Sequence, residues 1–322
     1  MSWQRIIKEL AYKDDWVSSK YLCEILNVSR TAVWKHIKFL KNNNFKIECC
    51  PKKGYKLLFP KDTILTVSED QLKSYTFCPQ LMSFISIDST NNYIKKLDFS
   101  QIKEGMIVIA ESQTGGKGRK GRTWFSPFGK NLYFSIALMP RLPVYIIPRL
   151  TIVAGVSVAM ALKNFNIDVE LKWPNDLIIS DRKIGGILSE LYSEGEDVQF
   201  VILGVGINVN ISLKDFPQEI KNIAGSIYST TGKIIDRREL FLKIFEDFSF
   251  RYNNFIKSGG ELSEIKEIWE EIAFGKDRDF YITTGNEKEL GRVVGLKEDG
   301  ALIANIKGET KYIYAGEILL NS

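Results

Sequence analysis

Apolar residues recur at helical spacing through the first sixty residues of the chain. Helices are predicted over residues 3–12 and 30–42, with a shorter one between them, and Ser29 is placed to cap the last of the three. Two strand-like runs flank the turn Pro51–Gly54, which predicts a β-hairpin directly after the helices. A helix-turn-helix followed by a hairpin is the pattern of a winged helix, whose recognition helix enters the major groove of DNA.

The pattern changes after a short linker that begins at Pro60. Up to about residue 270, strand-like alternation is mixed with apolar helical runs. Strands are predicted over 84–88, 106–111, 131–139, 169–173, 177–180, 183–191 and 200–208. Helices are predicted over 148–165 and, in pieces, between 237 and 274. Strands with the helices set aside indicate an α+β domain on a mixed or antiparallel sheet.

From Gly275 onward, short strands alternate with turns, which is typical of a small SH3-like β-barrel. The chain is therefore predicted to be a multidomain α+β protein. We expect a winged helix-turn-helix in residues 1–62, a central α+β domain in 63–270 and a barrel in 271–322.

Bulk composition fits this division. Of 322 residues, 44% are apolar and 26% are charged, which is ordinary for globular protein and excludes disordered and fibrous classes. The first residues lack the basic and apolar regions of a signal peptide, and the apolar run 150–162 is too short to span a bilayer. Four cysteines without metal-site spacing indicate reduced thiols. We expect a cytoplasmic protein without a membrane partner.

Positive charge is concentrated at the N-terminus. Residues 1–60 hold 12 Lys+Arg and 5 Asp+Glu, an excess of +7, so the remainder carries −2 of the net +5. Such a balance is expected where a polyanion binds. The candidate DNA contacts, on the third helix and the tip of the hairpin, are Arg30, Thr31, Lys35, Lys38, Lys52 and Lys53. The alternative is a small helical domain that docks another protein.

The stretch Gln113–Gly129 carries the clearest chemical signal. It contains five glycines and four basic residues but no acidic residue, which predicts a phosphate or pyrophosphate site. Formal resemblance to GxGxxG and to a P-loop is discounted, because Pro127 and Gly129 are unsuited to the helix that both motifs require. A basic surface hairpin is the simplest alternative, although it leaves the apolar residues of the stretch unexplained.

Three further stretches place polar residues beside glycine or proline within apolar strands. They are Lys172–Asp176, Lys183–Glu190 and Gly204–Asn208, and their recurrence indicates convergence on one pocket. The only histidine, His36, lies in the N-terminal segment, which excludes histidine base catalysis from the central domain. The remaining candidate groups are lysine, arginine and carboxylate, which suit phosphoryl or nucleotidyl chemistry through charge stabilisation.

Together these motifs resemble those of bacterial bifunctional biotin protein ligases that also repress the biotin operon. The shared elements are Asp88–Asn91, the glycine-rich basic loop ending Gly-Arg-Thr-Trp, Lys-Trp-Pro-Asn-Asp, Lys-Ile-Gly-Gly-Ile-Leu and Gly-Ile-Asn, in the family's order and spacing. The resemblance covers essentially the whole chain. It implies a central domain like that of class II aminoacyl-tRNA synthetases, between a winged helix and an SH3-like barrel.

The resemblance also implies residue roles. A biotin pocket is implied for Ser89, Thr90, Asn91 and Gln113, and a loop over biotin and the adenylate for Gly116, Lys117, Gly118, Arg119, Arg122 and Trp124. The remaining implied binding residues are Lys172, Asn175, Lys183, Gly186 and Asn208, with Asn175 and Asn208 on the adenine side. Lys183, Arg119 and Asp176 are the implied catalytic residues, and Asp176 binds Mg²⁺ that accompanies ATP or orients the acceptor lysine. Lys117 stands where relatives often carry arginine.

The implied reaction joins biotin and ATP to form biotinyl-5′-AMP, which then biotinylates a lysine of the biotin carboxyl carrier protein of acetyl-CoA carboxylase. The adenylate is also the implied corepressor: it promotes a homodimer that binds operator DNA. Three alternatives remain open from the sequence. They are a lipoate or octanoyl ligase, a ligand-sensing regulator without turnover, and an architectural nucleic-acid binder.

Overall fold

The computed structural model describes residues 2–73, 80–276, 278–285 and 287–319. Cys78 and Asn286, the latter in one of the predicted turns, lie outside the described residues. The N-terminal unit consists of α1 (Ser2–Lys13), α2 (Ser19–Leu26), α3 (Arg30–Asn42), β1 (Lys46–Cys50) and β2 (Gly54–Phe59). The hydroxyl of Ser29 accepts a hydrogen bond from the backbone N–H of Ala32, so the predicted cap is present. Strands β1 and β2 form the expected antiparallel hairpin.

Apolar faces of these helices meet in a core of their own. Ile6, Leu10, Val33, Ile37 and Leu40 are buried together there. This core also continues into the central domain, because the Phe128 ring packs edge-on against Phe45, with 5.1 Å between centroids. The N-terminal unit is therefore held by packing as well as by the linker.

The central unit is built on a seven-stranded sheet in the order β3-β4-β5-β9-β8-β7-β6. Its strands are β3 (Leu81–Phe84), β4 (Ile107–Ala110), β5 (Leu132–Leu138), β6 (Glu170–Lys172), β7 (Asp176–Ile179), β8 (Arg182–Glu194) and β9 (Asp197–Ile207). Among the described strands only β3 and β4 pair in parallel, so the prediction of a mixed sheet is confirmed.

Helices surround this sheet. They are α4 (Glu69–Leu72), α5 (Thr90–Lys95), α6 (Leu150–Lys163), α7 (Ile227–Thr231), α8 (Arg237–Lys257) and α9 (Ser263–Glu271). Apolar side chains of α6, α8 and α9 share the main core with strand residues such as Leu171 and Ile187, whereas α5 belongs to a separate apolar cluster with β4 and β9. The 3₁₀ turn Val144–Arg149 and α6 together form a segment, Val144–Lys163, long and apolar enough to cross a membrane. Two thirds (67%) of that window is buried in the fold, as in the core helix of a globular domain.

Two local predictions are corrected by the structure. The strand expected over 84–88 ends at Phe84, because beyond it the chain leaves the β4 ladder and touches it again only through the Ile87–Gln113 bridge. Pro148 lies in the 3₁₀ turn before α6 rather than in the α-helix itself.

The C-terminal unit is a five-stranded antiparallel sheet in the order β13-β12-β11-β10-β14. Its strands are β10 (Asp279–Thr284), β11 (Glu287–Leu296), β12 (Leu302–Ile306), β13 (Glu309–Ile313) and β14 (Glu317–Ile318). Apolar residues of this sheet, among them Ile282, Val293 and Leu302, join the main core. In addition, the indole N–H of Trp173 donates to the carbonyl of Gly300 at 3.2 Å. The end of the chain is thus attached directly to the central unit.

Candidate active site

Three glycines on β8 and β9 leave room for side chains to lie directly on the sheet. Gly186 pairs with Gly206 across the two strands, and Gly204 lies further along β9. A Cβ at Gly204 would lie 2.2 Å from Oδ1 of Asn91, and one at Gly206 would lie 2.6 Å from Nε1 of Trp124. Both contacts are too close for any larger residue. The glycines therefore allow Asn91 and Trp124 to approach the sheet backbone.

Side chains of the Ser-Thr-Asn motif and of Gln113 form one hydrogen-bonded group above this floor. The backbone N–H of Thr90 donates to Oε1 of Gln113 at 2.9 Å, and Nε2 of Gln113 donates to the Ser126 hydroxyl at 3.1 Å. The hydroxyl of Ser89 caps α5 by accepting from the N–H of Asn92. The structure thus brings together all four predicted pocket residues, and polar groups fixed within an apolar sheet suit a small ligand with its own donors and acceptors.

A carboxylate between two lysines lies beside this group. Asp176 contacts Nζ of Lys172 at 2.8 Å and Nζ of Lys183 at 2.6 Å. Burial raises the pKa of the Asp176 carboxyl, but the two ammonium groups outweigh burial and hold that pKa below its usual range. The side chain of Lys172 is 4% exposed and that of Lys183 is 25% exposed, so Lys183 is the cation that can meet a ligand. Its Nζ would lie 3.6 Å from a Cβ at Gly186.

Asp176 is not arranged as a metal ligand. Each of its carboxylate oxygens is engaged by a lysine. Within the described ranges, no group of three or more His, Cys, Asp or Glu side chains is placed to hold a metal ion. A Mg²⁺ ion that binds one carboxylate together with substrate phosphates would therefore compete with these two lysines for Asp176.

The glycine-rich stretch folds into a narrow excursion from Gly116 to Trp124. The N–H of Trp124 donates to the Gly116 carbonyl at 2.9 Å, and the N–H of Gly118 donates to the Arg122 carbonyl at 2.7 Å. Only a 3₁₀ turn, Arg119–Gly121, lies within the excursion. The absence of a following helix, predicted from Pro127 and Gly129, is confirmed for the described residues 122–131, which excludes Rossmann and P-loop sites here.

Each basic residue of the excursion contacts a defined partner. Lys117 donates to Oδ1 of Asn92 at 3.0 Å, and Arg119 donates to Oδ1 of Asn175 at 3.2 Å. Arg122 binds both oxygens of Glu317, at 2.7 and 3.2 Å, so the C-terminal sheet reaches the loop. Partial burial raises the pKa of Glu317, but Arg122 outweighs burial and lowers that pKa overall. The loop thus spans the pocket from α5 to β14.

Asn208 occupies a different environment from the one expected for an adenine contact. Its side chain is buried, its Oδ1 accepts from Nδ2 of Asn131 at 3.0 Å, and its Nδ2 donates to the Gly225 carbonyl at 3.0 Å. Both ends of the amide are therefore used within the protein. Similarly, Lys172 is directed away from open space, because its Nζ also donates to the Ile318 carbonyl at 3.0 Å.

Sequence reasoning missed several participants in this site. Ser126, Ser135, Glu190 and Glu317 all contact predicted site residues. Ser126 and Glu190 lie within stretches singled out above, but their partners are set by strand register and loop path. No local signal distinguishes Ser135 or Glu317 from ordinary polar residues.

The side chains of the predicted DNA contacts are all exposed. Arg30, Thr31, Lys35, Lys38, Lys52 and Lys53 are all exposed, on α3 and on the hairpin turn. The structure adds Trp34, which is 53% exposed on α3 and lies with its ring centroid 5.2 Å from Nζ of Lys38. Exposed basic residues on α3 and on the hairpin turn suit phosphate contact.

Comparison with known proteins gives a matching family for each of the three units. Residues 83–208 match the biotin/lipoate A/B protein ligase family, residues 3–56 match an HTH domain, and residues 282–320 match the biotin protein ligase C-terminal domain. The bifunctional ligase/repressor BirA of Bacillus subtilis is 34% identical over 95% of this chain and 94% of its own length. That of Escherichia coli is 32% identical over 95% of this chain and 93% of its own.

A solved structure agrees with this result. Biotin protein ligase from Aquifex aeolicus in complex with biotin and ATP superposes with a TM-score of 0.65 and 32% identity, covering 74% of this chain and 97% of that one. The similarity to the bifunctional proteins extends through all three units, including the winged helix. The chain therefore belongs to the biotin protein ligase family, together with its bifunctional ligase/repressor members.

Proposed function

We propose that the protein is an ATP-dependent biotin protein ligase that also represses transcription. It forms biotinyl-5′-AMP and transfers biotin to a lysine of the biotin carboxyl carrier protein of acetyl-CoA carboxylase. The observation that carries this proposal is the position of Lys183, a partly exposed ammonium beside a glycine-floored pocket. A cation there offsets the repulsion between a carboxylate and a nucleotide phosphate as they approach.

Biotin occupies the pocket lined by Ser89, Thr90, Asn91 and Gln113. The hydrogen-bonding groups on Thr90 and Gln113 suit the ureido head group, and Trp124 lies against the floor at Gly206. The indole N–H of Trp124 is buried without a partner in the protein, which leaves a donor for a ligand at this position.

In the first half-reaction, the biotin carboxylate attacks the α-phosphorus of ATP and pyrophosphate leaves. Lys183 and Arg119 stabilise the charge that accumulates between the two anions, and Asn175 aligns Arg119 through their 3.2 Å hydrogen bond. Mg²⁺ enters with the ATP phosphates. Gly118 and the other loop residues shield the adenylate from water.

In the second half-reaction, the acceptor lysine attacks the mixed anhydride and AMP leaves. AMP is a good leaving group, so no nucleophile of the protein is required. Asp176 holds Lys183 in place through their 2.6 Å ion pair. Asn208 supports the nucleotide side indirectly, through the segment that begins at Gly225.

Architecture and location complete the proposal. The central unit is of the class II aminoacyl-tRNA-synthetase type, and the C-terminal sheet closes as an SH3-like barrel. The first domain ends at residue 62 and the second at residue 270. The protein works in the cytoplasm.

Repression uses the edge of the central sheet. Strand β7 pairs with β8 only over Arg182–Gly186, so the length of β8 toward Glu194 extends beyond its neighbour. An extended strand edge pairs readily with a second copy. Adenylate binding promotes this homodimer, which places two winged helices on an operator. Sedimentation equilibrium with and without biotin and ATP tests the step, and a dimer that ignores the ligand contradicts it.

The first experiment is transfer of labelled biotin to a purified carrier domain, with ATP and Mg²⁺, by the wild type and by Lys183→Ala. ATP-dependent labelling that collapses in the variant supports the ligase. Labelling with lipoate in place of biotin would identify the other substrate class of the matched family. If neither substrate is transferred, a DNA-binding sensor without turnover is the better account.

A further inference from the structure

A hydrogen-bonded chain runs across the pocket and ends on one carboxylate. Nδ2 of Asn91 donates to Oε2 of Glu190 at 2.7 Å, and Oδ1 of Asn91 lies 2.5 Å from the Ser135 hydroxyl. The Ser135 hydroxyl is also 2.7 Å from that of Thr90. We propose that Glu190 is a positioning residue for biotin, because it fixes the direction of every hydrogen bond in this chain. The proposal rests on the function proposed above.

An ionised carboxylate can only accept hydrogen bonds. The amide of Asn91 must therefore turn its NH₂ group toward Glu190 and its carbonyl oxygen toward Ser135. Because that carbonyl can only accept, the single proton of the Ser135 hydroxyl points to Asn91. Asn91 is also pressed against Gly204, which leaves its amide no space to move away.

The direction of the Ser135 proton also determines the direction of the hydrogen bond between Ser135 and Thr90. Once the Ser135 proton points to Asn91, the contact between the two hydroxyls requires Thr90 to donate to Ser135. Thr90 also lies 3.2 Å from Oε1 of Gln113, but the 2.7 Å contact to Ser135 is the stronger one. The lone pairs of the Thr90 hydroxyl are then free to accept from a ligand. A ureido N–H is the donor that biotin offers there.

Among the described residues, the side chain of Glu190 hydrogen-bonds to the pocket through Asn91 alone. It lies on β8 opposite Ile202 of β9, in the part of the strand that extends beyond β7. Its effect on biotin is therefore expected to be transmitted through orientation rather than through direct contact.

The test is steady-state kinetics of the full-length protein for Glu190→Ala, Glu190→Gln and the control Glu194→Ala on the same strand. We expect Glu190→Ala to raise the KM for biotin by about 10- to 100-fold, the size of a lost hydrogen bond to a charged group. The kcat at saturating biotin and the KM for ATP should stay near wild type. A glutamine amide can either accept from Asn91 or donate to it, so Glu190→Gln no longer fixes the direction of the Asn91 amide, and its KM for biotin should lie between those of the wild type and Glu190→Ala.

A biotin analogue gives a readout that a merely structural role would leave unchanged. In a cyclic carbamate, one ureido N–H is replaced by oxygen, which removes a donor at nearly constant shape. Wild type should reject the analogue whose oxygen faces Thr90. Glu190→Ala should reject it less, because the freed Thr90 hydroxyl can turn and donate. Glu190→Asp, which keeps the charge, provides a second variant if Glu190→Ala fails to fold.

An unchanged KM for biotin in Glu190→Ala would overturn the proposal. An equal rise in the KM for ATP would also overturn the proposal, because the hydrogen bonds that link Glu190, Asn91, Ser135 and Thr90 do not extend to the proposed nucleotide site. Failure of the proposed function is distinguishable, since the wild type itself would then transfer no biotin.

Discussion

The guanidinium of Arg237 is completely buried and lies 2.8 Å from a carboxylate oxygen of Glu111. On its other side it contacts Asp62 of the linker at 2.9 Å. Glu111 is two residues before Gln113, and its second oxygen accepts from the N–H of Ile64 at 2.9 Å. The buried Arg237 at the start of α8 thus connects the linker, through Asp62, with the segment that precedes Gln113, through Glu111.

Replacing Arg237 with Met should strongly destabilise the protein. The change leaves two carboxylates without their counter-charge, one of them fully buried, which costs about 3–5 kcal/mol in the free energy of unfolding. Chemical denaturation measures the change. As a control, Arg292→Met breaks a half-exposed ion pair with Asp279 and should cost under ~1 kcal/mol. Equal losses in the two variants would contradict this account.

The two lysines around Asp176 predict an asymmetry between variants. Asp176→Ala leaves the buried Lys172 ammonium without its carboxylate, so we expect a loss of about 3–5 kcal/mol in unfolding free energy. Lys183→Met leaves Asp176 paired with Lys172 and should cost much less stability. Adenylate formation, followed by pyrophosphate release, should nevertheless collapse in Lys183→Met. If Lys183→Met were unstable but still formed the adenylate, Lys183 would be the structural partner of Asp176 rather than the cation that acts on the ligand.

The glycine floor predicts a size limit at two positions. Gly206→Ala forces Trp124 off the sheet, and Gly204→Ala forces Asn91 away. Each should lower kcat/KM for biotin by about tenfold or more, since a displacement of about 1 Å is enough to cost 100-fold in rate. Gly155→Ala on α6 is a matched control, because its new Cβ meets neighbours at ordinary distances of 3.6 Å and above. If the control behaves like the floor variants, their effect is not specific to the pocket.

Asp88 predicts a pH dependence of stability. A hydrogen bond from Lys96, 2.8 Å away, lowers the pKa of Asp88 from 3.8 to about 2. A lowered pKa in the folded state stabilises the protein above the unfolded value, and that contribution fades as pH falls toward about 2. Asp88→Asn should therefore melt below wild type at pH 7, with the difference shrinking between pH 5 and pH 3. Parallel melting curves measure this convergence, and a difference between the two proteins that stays constant with pH would contradict it.

Basic residues of α3 predict the salt dependence of DNA binding. Lys35→Ala and Lys38→Ala should each reduce the slope of log affinity against log salt by about 0.9, the value for one phosphate contact. Fluorescence anisotropy with a random-sequence duplex measures this without knowledge of the operator. Lys257→Ala, an exposed lysine at the end of α8, should leave the slope unchanged. A slope unaffected by both α3 variants would place the phosphate contacts elsewhere.

Sequence periodicity predicted the helices well where one face is buried. The α3 boundaries agree with the 30–42 prediction because Val33, Ile37 and Leu40 alternate cleanly with exposed residues. By contrast, residues 84–88 alternate like a strand but lack a continuous partner beyond Phe84, and pairing is not encoded in alternation alone.

The candidate site divides in the same way. The glycine-rich loop and Lys183 could be identified from the sequence, because in both cases glycines and charged residues lie next to one another along the chain. Glu190 and Ser135 were not identified, since both reach Asn91 only through the register of three strands and α5. The amide of Asn208 joins Asn131 to Gly225 in the structure, and these two partners lie far from it in the sequence, so its local motif does not reveal them.

The packing of Phe128 between Phe45 and Phe59 has an engineering consequence. Phe128 is the last residue but one of the glycine-rich stretch, yet its ring lies 5.1 and 6.2 Å from two aromatic rings of the N-terminal unit. The winged helix is thus not an interchangeable attachment. A chimera that carries a foreign DNA-binding unit before the linker would lose the aromatic contacts that Phe45 and Phe59 make with Phe128. New operator specificity would therefore have to be introduced by substitutions on the exposed face of α3, with Phe45 and Phe59 retained.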